Sequence, residues 1–490
     1  MRSHPPPQKA PLPLRERGWG EGETPQPYRV LFSRVGGAWC VANPSPPAPL
    51  PQGERGVKPC HLIVPPMTRA APSTVSAPVS PAPTAPLKLA VIGAGPAGLA
   101  LALLAARGWH GVQVTVFDAR PADKDVAADP RTLALSLGSV QLMRQLGVWP
   151  DAQAQPITEV HVSQAPPTLG GALSETLLRP EVRLTAAEQG VTALGAVLAY
   201  DQIVAPLQRA WETECTRSAG QHAMRFGTPV QAIRDVSGGV EVEAGVVERF
   251  DLAVIAEGGV FADQARKAVS HDYRQTAWVG TVQLGQPAGA APIPAGAAFE
   301  RFTRHGPVAL LPLPARAADA SGVRRASLVW CVPTDDDPVA ELSPEQRRTV
   351  LATLLPEAAG PLLDIGPLKH FALGLNAETT LVAGRKVRIG NAAQTLHPVA
   401  GQGLNLGLRD AQALVRTLRH ATDLDAALRR VEWARAPDRW SMIATTDFLA
   451  RSFTWQWPGL PALRGLGLAA LQALPPVKSL LARQMMFGRR

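Results

Sequence analysis

The sequence predicts an α/β fold: a discontinuous domain built on a parallel sheet, a mainly β domain interposed in it, and a helical C-terminal tail. Three observations carry this expectation. LKLAVIGAGPAGLALALLAARGWHGVQVTVFDAR, starting at Leu87, reads as strand, glycine turn, helix, strand. From 271 to 370 the pattern changes to apolar, β-branched runs, TAWVGTVQL, HGPVALLPL and RRASLVWCV, set apart by Gly, Pro and Ala-rich turns. A second glycine-rich turn, GNAAQTLHPVAGQGLNLGLRDAQALVRTL at 390–418, then opens another helix.

The bulk properties fit two domains with extensions: 490 residues, 46% of them apolar, and a formal net charge of +9. The charge sits at the ends. Residues 1–87 and 441–490 carry +5 each, which leaves −1 for the 353 between them. With no basic core domain, nucleic acid is not expected as the main ligand.

Residues 1–87 hold 20 of the 48 prolines and two near-copies of one phrase, PLPLRERGWGEG and APLPQGERGVKP. Such a segment buries too little to offset its ordering entropy, so a disordered leader is expected, with Met67 a sensible start. It has no charged n-region followed by an apolar h-region, so it does not read as a secretory signal. Cys40 and Cys60 lie in it, leaving Cys215 and Cys331, too few and too far apart for a disulfide framework or a zinc site. A reducing cytoplasm fits this usage. No serine triad, paired-carboxylate hydrolase site or metal cluster is evident.

In the opening unit, each residue type answers a need of dinucleotide binding. Gly93 allows the tight turn, Gly95 lets the backbone approach a pyrophosphate, and Gly98 lets the helix pack close to the strand. The helix N-terminus presents unpaired N–H groups and a partial positive charge to the phosphates. Asp118, 20 residues beyond Gly98, stands where a carboxylate meets an adenosine ribose hydroxyl. These signals specify a Rossmann-type unit without choosing between NAD and FAD. Regular βα repeats do not follow. Instead DPRTLALSLGSVQLMRQLGVW gives an extended piece from Arg131, a cap at Ser136 to Ser139, and a helical stripe of Val140, Met143 and Leu146 ending at Gly147. Arg131, beside a strand-to-helix turn, is a candidate partner for cofactor phosphate.

The opening unit, DPRTLALSLGSVQLMRQLGVW, AFERFTRHGPVALLPLP at 298–314 and GNAAQTLHPVAGQGLNLGLRDAQ together resemble the flavoprotein aromatic hydroxylases of ubiquinone biosynthesis, nearest the 2-polyprenyl-6-methoxyphenol hydroxylase branch. The resemblance spans residues 88–487. It implies a Rossmann-type FAD-binding domain of aromatic-hydroxylase type from 88–160, 190–270 and 371–440, a β-rich substrate domain from 161–189 and 271–370, and a tail from 441. It also implies FAD, NAD(P)H as reductant, dioxygen, and hydroxylation of a polyprenylated phenol through a flavin hydroperoxide. A flavin oxidoreductase without oxygen insertion and a non-catalytic, lipid-binding member of a quinone-biosynthesis complex are the rival readings.

Further site residues follow from the resemblance. Pro398 to Gly403 reads as a loop and Leu404 to Leu418 as a helix, and Gly401 and Gly403 leave room for a flat ring against bare backbone. The helix opening at Leu404 and Asn405 then aims its positive end at a reduced flavin. Asn391 stands where many relatives carry Asp, and Glu257 with Gly258 where the family has Asp-Gly, a site tied to flavin and nicotinamide. Gln202 matches a position that reaches the ribityl chain. His397 and Pro398 fall beside the flavin's reactive edge, His397 as a candidate acid/base. Phe299, Phe302 and Trp330 are candidate linings of the substrate pocket.

The tail, FLARSFTWQWPGLPALRGLGLAALQALPPVKSLLARQMMFGRR, is apolar and basic, but no run reaches the roughly 18 apolar residues needed to span a bilayer. Two readings stand: a membrane-surface element with Trp455 and Trp457 at the interface, or a helix pair packed on the flavin domain. The expected location is cytoplasmic, peripheral on the inner face of the cytoplasmic membrane.

Overall fold

The computed structural model describes residues 86–489 except 130, 166–180, 260–263, 288, 290–291, 317–318, 320–321 and 453–459. The expectations for residues 1–85, including Met67, Cys40 and Cys60, and for Trp455 and Trp457 lie outside the described residues.

Lys88–Ile92 is a strand whose Leu-Ala-Val-Ile run is buried, as a parallel strand covered on both faces requires. It is central in a six-stranded sheet, between Gln113–Phe117 and Leu252–Ile255, both parallel to it. His222–Arg225 and Lys386–Arg388 extend the parallel set on the two sides, and Val382–Ala383 closes the edge antiparallel. The helix Pro96–Gly108 follows the first strand, with Pro in its first turn where no N–H is missed. Its Leu and Ala faces pack against the sheet and against the helices Tyr200–Arg217 and Gln402–Leu418. Closest approach comes at glycines: a Cβ on Gly407 would lie 2.9 Å from Gly390 Cα and 3.4 Å from Ala97 Cβ.

A larger, mainly antiparallel sheet stands beside it. Val269–Leu284 is its long central strand, flanked by Lys369–Ala377 on one side and Arg324–Pro333 on the other. Pro307–Leu313, Ala297–Phe302, Glu159–Gln164 and Glu181–Thr185 continue the order outward. Lys369–Ala377 crosses residue 370, Gln394–Thr395 pairs with it, and Glu159 already belongs to this sheet. The division expected at 160, 270 and 370 is therefore corrected, because the paired backbone carries strands across those points, and residues 81–490 cluster as one compact unit.

The helix Leu424–Ser452 runs through residue 441 without a break, so the expected tail begins inside it. Two further helices, Leu460–Ala473 and Pro475–Phe487, meet at a bend of 95°. Among the described residues no single helix is long and apolar enough to cross a membrane. The first of the pair lies on the strand Glu181–Thr185, within the expected substrate domain, and the second on the helix Leu137–Gln145, within the expected flavin domain. Lys478, buried in the second, donates to Glu188 Oε1 (3.0 Å) and to the Arg183 carbonyl (3.1 Å).

Candidate cofactor and substrate site

The first turn is shaped as its glycines require. Gly93 has φ +103°, and its N–H donates to the Phe117 carbonyl at 2.7 Å. A Cβ on Gly98 would collide with the Gly93 carbonyl, which forces glycine there. A Cβ on Gly95 would meet nothing within 4 Å: open space lies before the helix N-terminus. Asp118 accepts from the Ala94 N–H (2.6 Å) and the Arg120 N–H (2.7 Å), which ties the end of the second strand to the glycine turn.

Glu257 and Gly258 enter this site from the end of Leu252–Ile255. The backbone of Glu257 lies so near Gly93 that a Cβ there would come within 2.8 Å of its nitrogen. Burial raises the Glu257 carboxyl above its ordinary range, and the negative charge of Asp118 adds to the effect. A side chain on Gly258 would run into Asn391. Asn391 is fixed in turn by Lys267, whose Nζ donates to its carbonyl at 2.8 Å. Burial pushes the Lys267 ammonium down to about 8, against the pull of Glu378. Lys267 escaped the sequence reading because nothing in its local spacing marks a contact with residue 391. The structure thus brings Gly93, Asp118, Glu257, Gly258 and Asn391 together.

The second turn differs from expectation at its helix. Gly401 adopts φ +59° and is the N-cap of a helix that begins at Gln402, so Gly403 is helical and not part of the loop. A Cβ on Gly403 would meet nothing within 4 Å, whereas one on Gly401 would touch Ala134 Cβ at 3.4 Å. Leu404 is half-buried against the core of the parallel-sheet layer. Asn405 is a brace: its Oδ1 accepts from the Ser136 N–H (2.8 Å), and its Nδ2 donates to the Ala134 (3.0 Å) and Gly401 (2.9 Å) carbonyls. It locks Thr132–Ser136 to the helix start, at the edge of the space where a cofactor contact is expected.

His397 is likewise corrected. It is 1% exposed, its Nδ1 accepts from the Val399 N–H, and its Nε2 donates to Gln275 Oε1. Burial drives the ring down to about 3, so it stays neutral with both nitrogens engaged, and no face remains for acid/base work. Arg131 spends its guanidinium on Asp129, with Nη2 to Oδ2 at 2.7 Å, and lies 4.6 Å from the centre of the Tyr200 ring. Gln202 is half-buried in the first turn of Tyr200–Arg217.

Beside the second turn lies a cavity of about 620 Å³. Pro398, Gly401, Gln402 and Asn405 line one side of it; Val160, Val162, Leu184 and Leu311 of the large sheet line another. The C-terminal helices contribute Leu468, Leu471, Leu481 and Met485. Phe299 and Phe302 both line it, as expected, and the Phe299 ring also stacks on His161 at 4.8 Å. Trp330 is 2% exposed within the sheet's own core, opposite Trp278, and is not a pocket residue.

A network the sequence did not announce anchors the second turn. Arg435 Nε donates to Asp410 Oδ1 (2.7 Å), Arg409 spans Asp438 (3.1 Å) and Gln402 Oε1 (2.8 Å), and Gln394 Nε2 reaches Asp410 Oδ2 (3.2 Å). All but Arg409 are buried.

These geometries fit FAD: one helix start with open space for a pyrophosphate, a second beside an apolar cavity, and carboxylates at the adenosine end. Residues 87–432 match the model of the FAD binding domain family. The chain belongs to that family. It is 29% identical over 445 residues to the ubiquinone hydroxylase UbiL of Rhodospirillum rubrum, covering 85% of this chain and 93% of that one. It is also 29% identical over 406 residues to the 3-demethoxyubiquinol 3-hydroxylase of Escherichia coli K12, covering 79% and 95%. Klebsiella pneumoniae HpxO, solved with FAD and uric acid, superposes with a TM-score of 0.59 at 17% identity, over 81% of this chain and 97% of that one. The expected fold class and the FAD cofactor are thereby established.

Proposed function

We propose that this protein is a monooxygenase that hydroxylates the aromatic ring of a polyprenylated phenol in ubiquinone biosynthesis, using NAD(P)H and dioxygen. The carrying observation is the 620 Å³ apolar cavity that runs from the Pro398–Asn405 turn to the C-terminal helices. A phenol ring needs the end beside the turn; a prenyl chain suits the remaining Val, Leu and Met walls. Bound FAD supplies reduction by NAD(P)H and the activation of oxygen. The chain itself positions and desolvates. Gly93, Gly95 and Asp118 hold the adenosine half, the helix from Gln402 turns its positive end toward the ring system, and the apolar walls keep water from the reacting carbon.

Delivery of such a substrate requires access to lipid. Leu463, Leu474 and Leu480 on the C-terminal helix pair are 65%, 51% and 68% exposed, although other residues of the same helices line the cavity. This supports peripheral attachment to the inner face of the cytoplasmic membrane, with the pair between lipid and cavity, and leaves that face open to another enzyme of the pathway. The test is mass spectrometry of quinone intermediates in a deletion strain. Accumulation of a prenylated phenol lacking one oxygen, cleared by the wild-type gene, is the expected result. An unchanged quinone profile would overturn the proposal.

A further inference from the structure

We infer that Phe448 is a specificity-determining residue, the lip over which the prenyl chain of the substrate leaves the cavity, an inference that rests on the function proposed above. The cavity has a definite mouth. Of its described lining residues, Ala444 and Phe448 alone are exposed; the others, those of the two C-terminal helices included, are buried or half-buried. Both belong to the helix Leu424–Ser452 and stand one turn apart on the same face. Thr445 and Leu449, next to them in sequence, also line the cavity but are half-buried, so the rim of the mouth runs along this helix. Phe448 is 60% exposed: its side chain borders the cavity and water at once.

The fold does not need that ring. Leu449 packs with Phe302 and Val399, while Asp447 accepts from the Tyr273 hydroxyl (3.0 Å) and pairs with Arg451 (2.6 Å). The residues on both sides of Phe448 thus hold this stretch of helix. A phenylalanine left in water at the edge of an apolar cavity gains when an apolar group covers it.

The size of the cavity identifies the group. At roughly 30 Å³ per heavy atom, the share of one water in the liquid, the 620 Å³ hold about 20 heavy atoms. A phenol with about two prenyl units fills that space. A longer chain outgrows the walls and passes the mouth, and there Phe448 is the large apolar side chain it meets.

The test uses FAD-loaded enzyme and a pair of phenols that differ in the chain alone, dimethylallyl or geranylgeranyl. Phe448→Ala is expected to raise KM for the geranylgeranyl phenol about tenfold, the effect of losing part of a buried aromatic contact. KM for the dimethylallyl phenol, FAD content and thermal melting stay at wild-type values, because the short chain ends inside the walls, and Phe448→Leu recovers part of the difference. Binding is read apart from turnover in Phe448→Cys without reductant. A soluble maleimide labels position 448, mass spectrometry of that peptide follows the rate, and the geranylgeranyl phenol is expected to slow labelling where the dimethylallyl phenol does not. An equal rise in KM for both phenols, or labelling indifferent to the geranylgeranyl phenol, overturns the inference. Protection by phosphatidylglycerol vesicles in place of the phenol would make Phe448 a lipid contact and overturn it too. If wild type hydroxylates neither phenol, the proposed function fails instead, and labelling at position 448 still decides whether an apolar chain crosses the lip.

Discussion

Val399 donates its backbone N–H to His397 Nδ1 at 3.2 Å, which leaves the ring proton on Nε2, where it is donated to Gln275 Oε1 at 2.9 Å. Because burial holds the folded imidazole at about 3, it takes up no proton at pH values where the unfolded ring, near 6.5, does. The depressed pKa therefore contributes stability above pH 6.5 that is lost as pH falls toward 3, at about 1.4 kcal/mol per pH unit. Urea unfolding of wild type and His397→Gln between pH 7.5 and 5 is expected to show this extra slope in wild type alone. Parallel slopes would mean the ring is charged or solvated in the native state.

Gly95→Val is expected to abolish FAD binding while leaving the melting temperature of the FAD-free protein unchanged. A Cβ at Gly95 meets no protein atom within 4 Å, and its φ of −75° suits any residue, so the valine obstructs the ligand and not the fold. Asp118→Ala weakens FAD binding and also loosens the turn, since its carboxylate holds the Ala94 and Arg120 N–H groups. FAD absorbance per protein after purification measures both, and normal FAD content in the valine variant would remove the turn from the cofactor site.

The parts legible in the sequence were those encoded locally. Gly93, Gly95, Gly98 and Asp118 form one unbroken unit in which residue spacing translates directly into geometry. The helix after the glycines is expected from Leu404, two residues late, because its N-cap, Gly401, is a glycine in left-handed conformation without a Ser, Thr or Asp to announce it. What escaped depends on distant partners. His397 looked catalytic until Gln275, over a hundred residues earlier, closed its second nitrogen. Arg131 stands over the ring of Tyr200, far along the chain.

Removing one partner of the buried Asp410–Arg435 pair strands the other charge. Arg435 Nε lies 2.7 Å from Asp410, both side chains are nearly inaccessible, and the pair connects the helix Gln402–Leu418 to Leu424–Ser452. Arg435→Met is expected to cost about 3 to 5 kcal/mol. Chemical denaturation of the FAD-loaded protein checks this, and a loss below about 1 kcal/mol would show that water reaches the site.

Gly403→Leu separates cofactor retention from catalysis. Position 403 is helical and faces open space, so the fold tolerates leucine, and FAD remains anchored through the Gly93–Gly98 turn. A branched side chain in that open space, next in sequence to the cavity-lining Gln402, displaces the ring system, so hydroxylation is expected to collapse while NAD(P)H oxidation without product rises. Bound FAD, NAD(P)H consumption and product are read in one preparation, and a near-normal product yield would reduce the glycine to a packing role.

The central claim is that this chain inserts an atom of dioxygen into a prenylated phenol. Incubating FAD-loaded enzyme with NAD(P)H, a short-chain prenylphenol and ¹⁸O₂, then weighing the product by mass spectrometry, tests it most directly. One ¹⁸O atom is expected in the ring hydroxyl for each NAD(P)H consumed in coupled turnover. A product that is reduced without gaining oxygen, or a hydroxyl that carries oxygen from water, would contradict it.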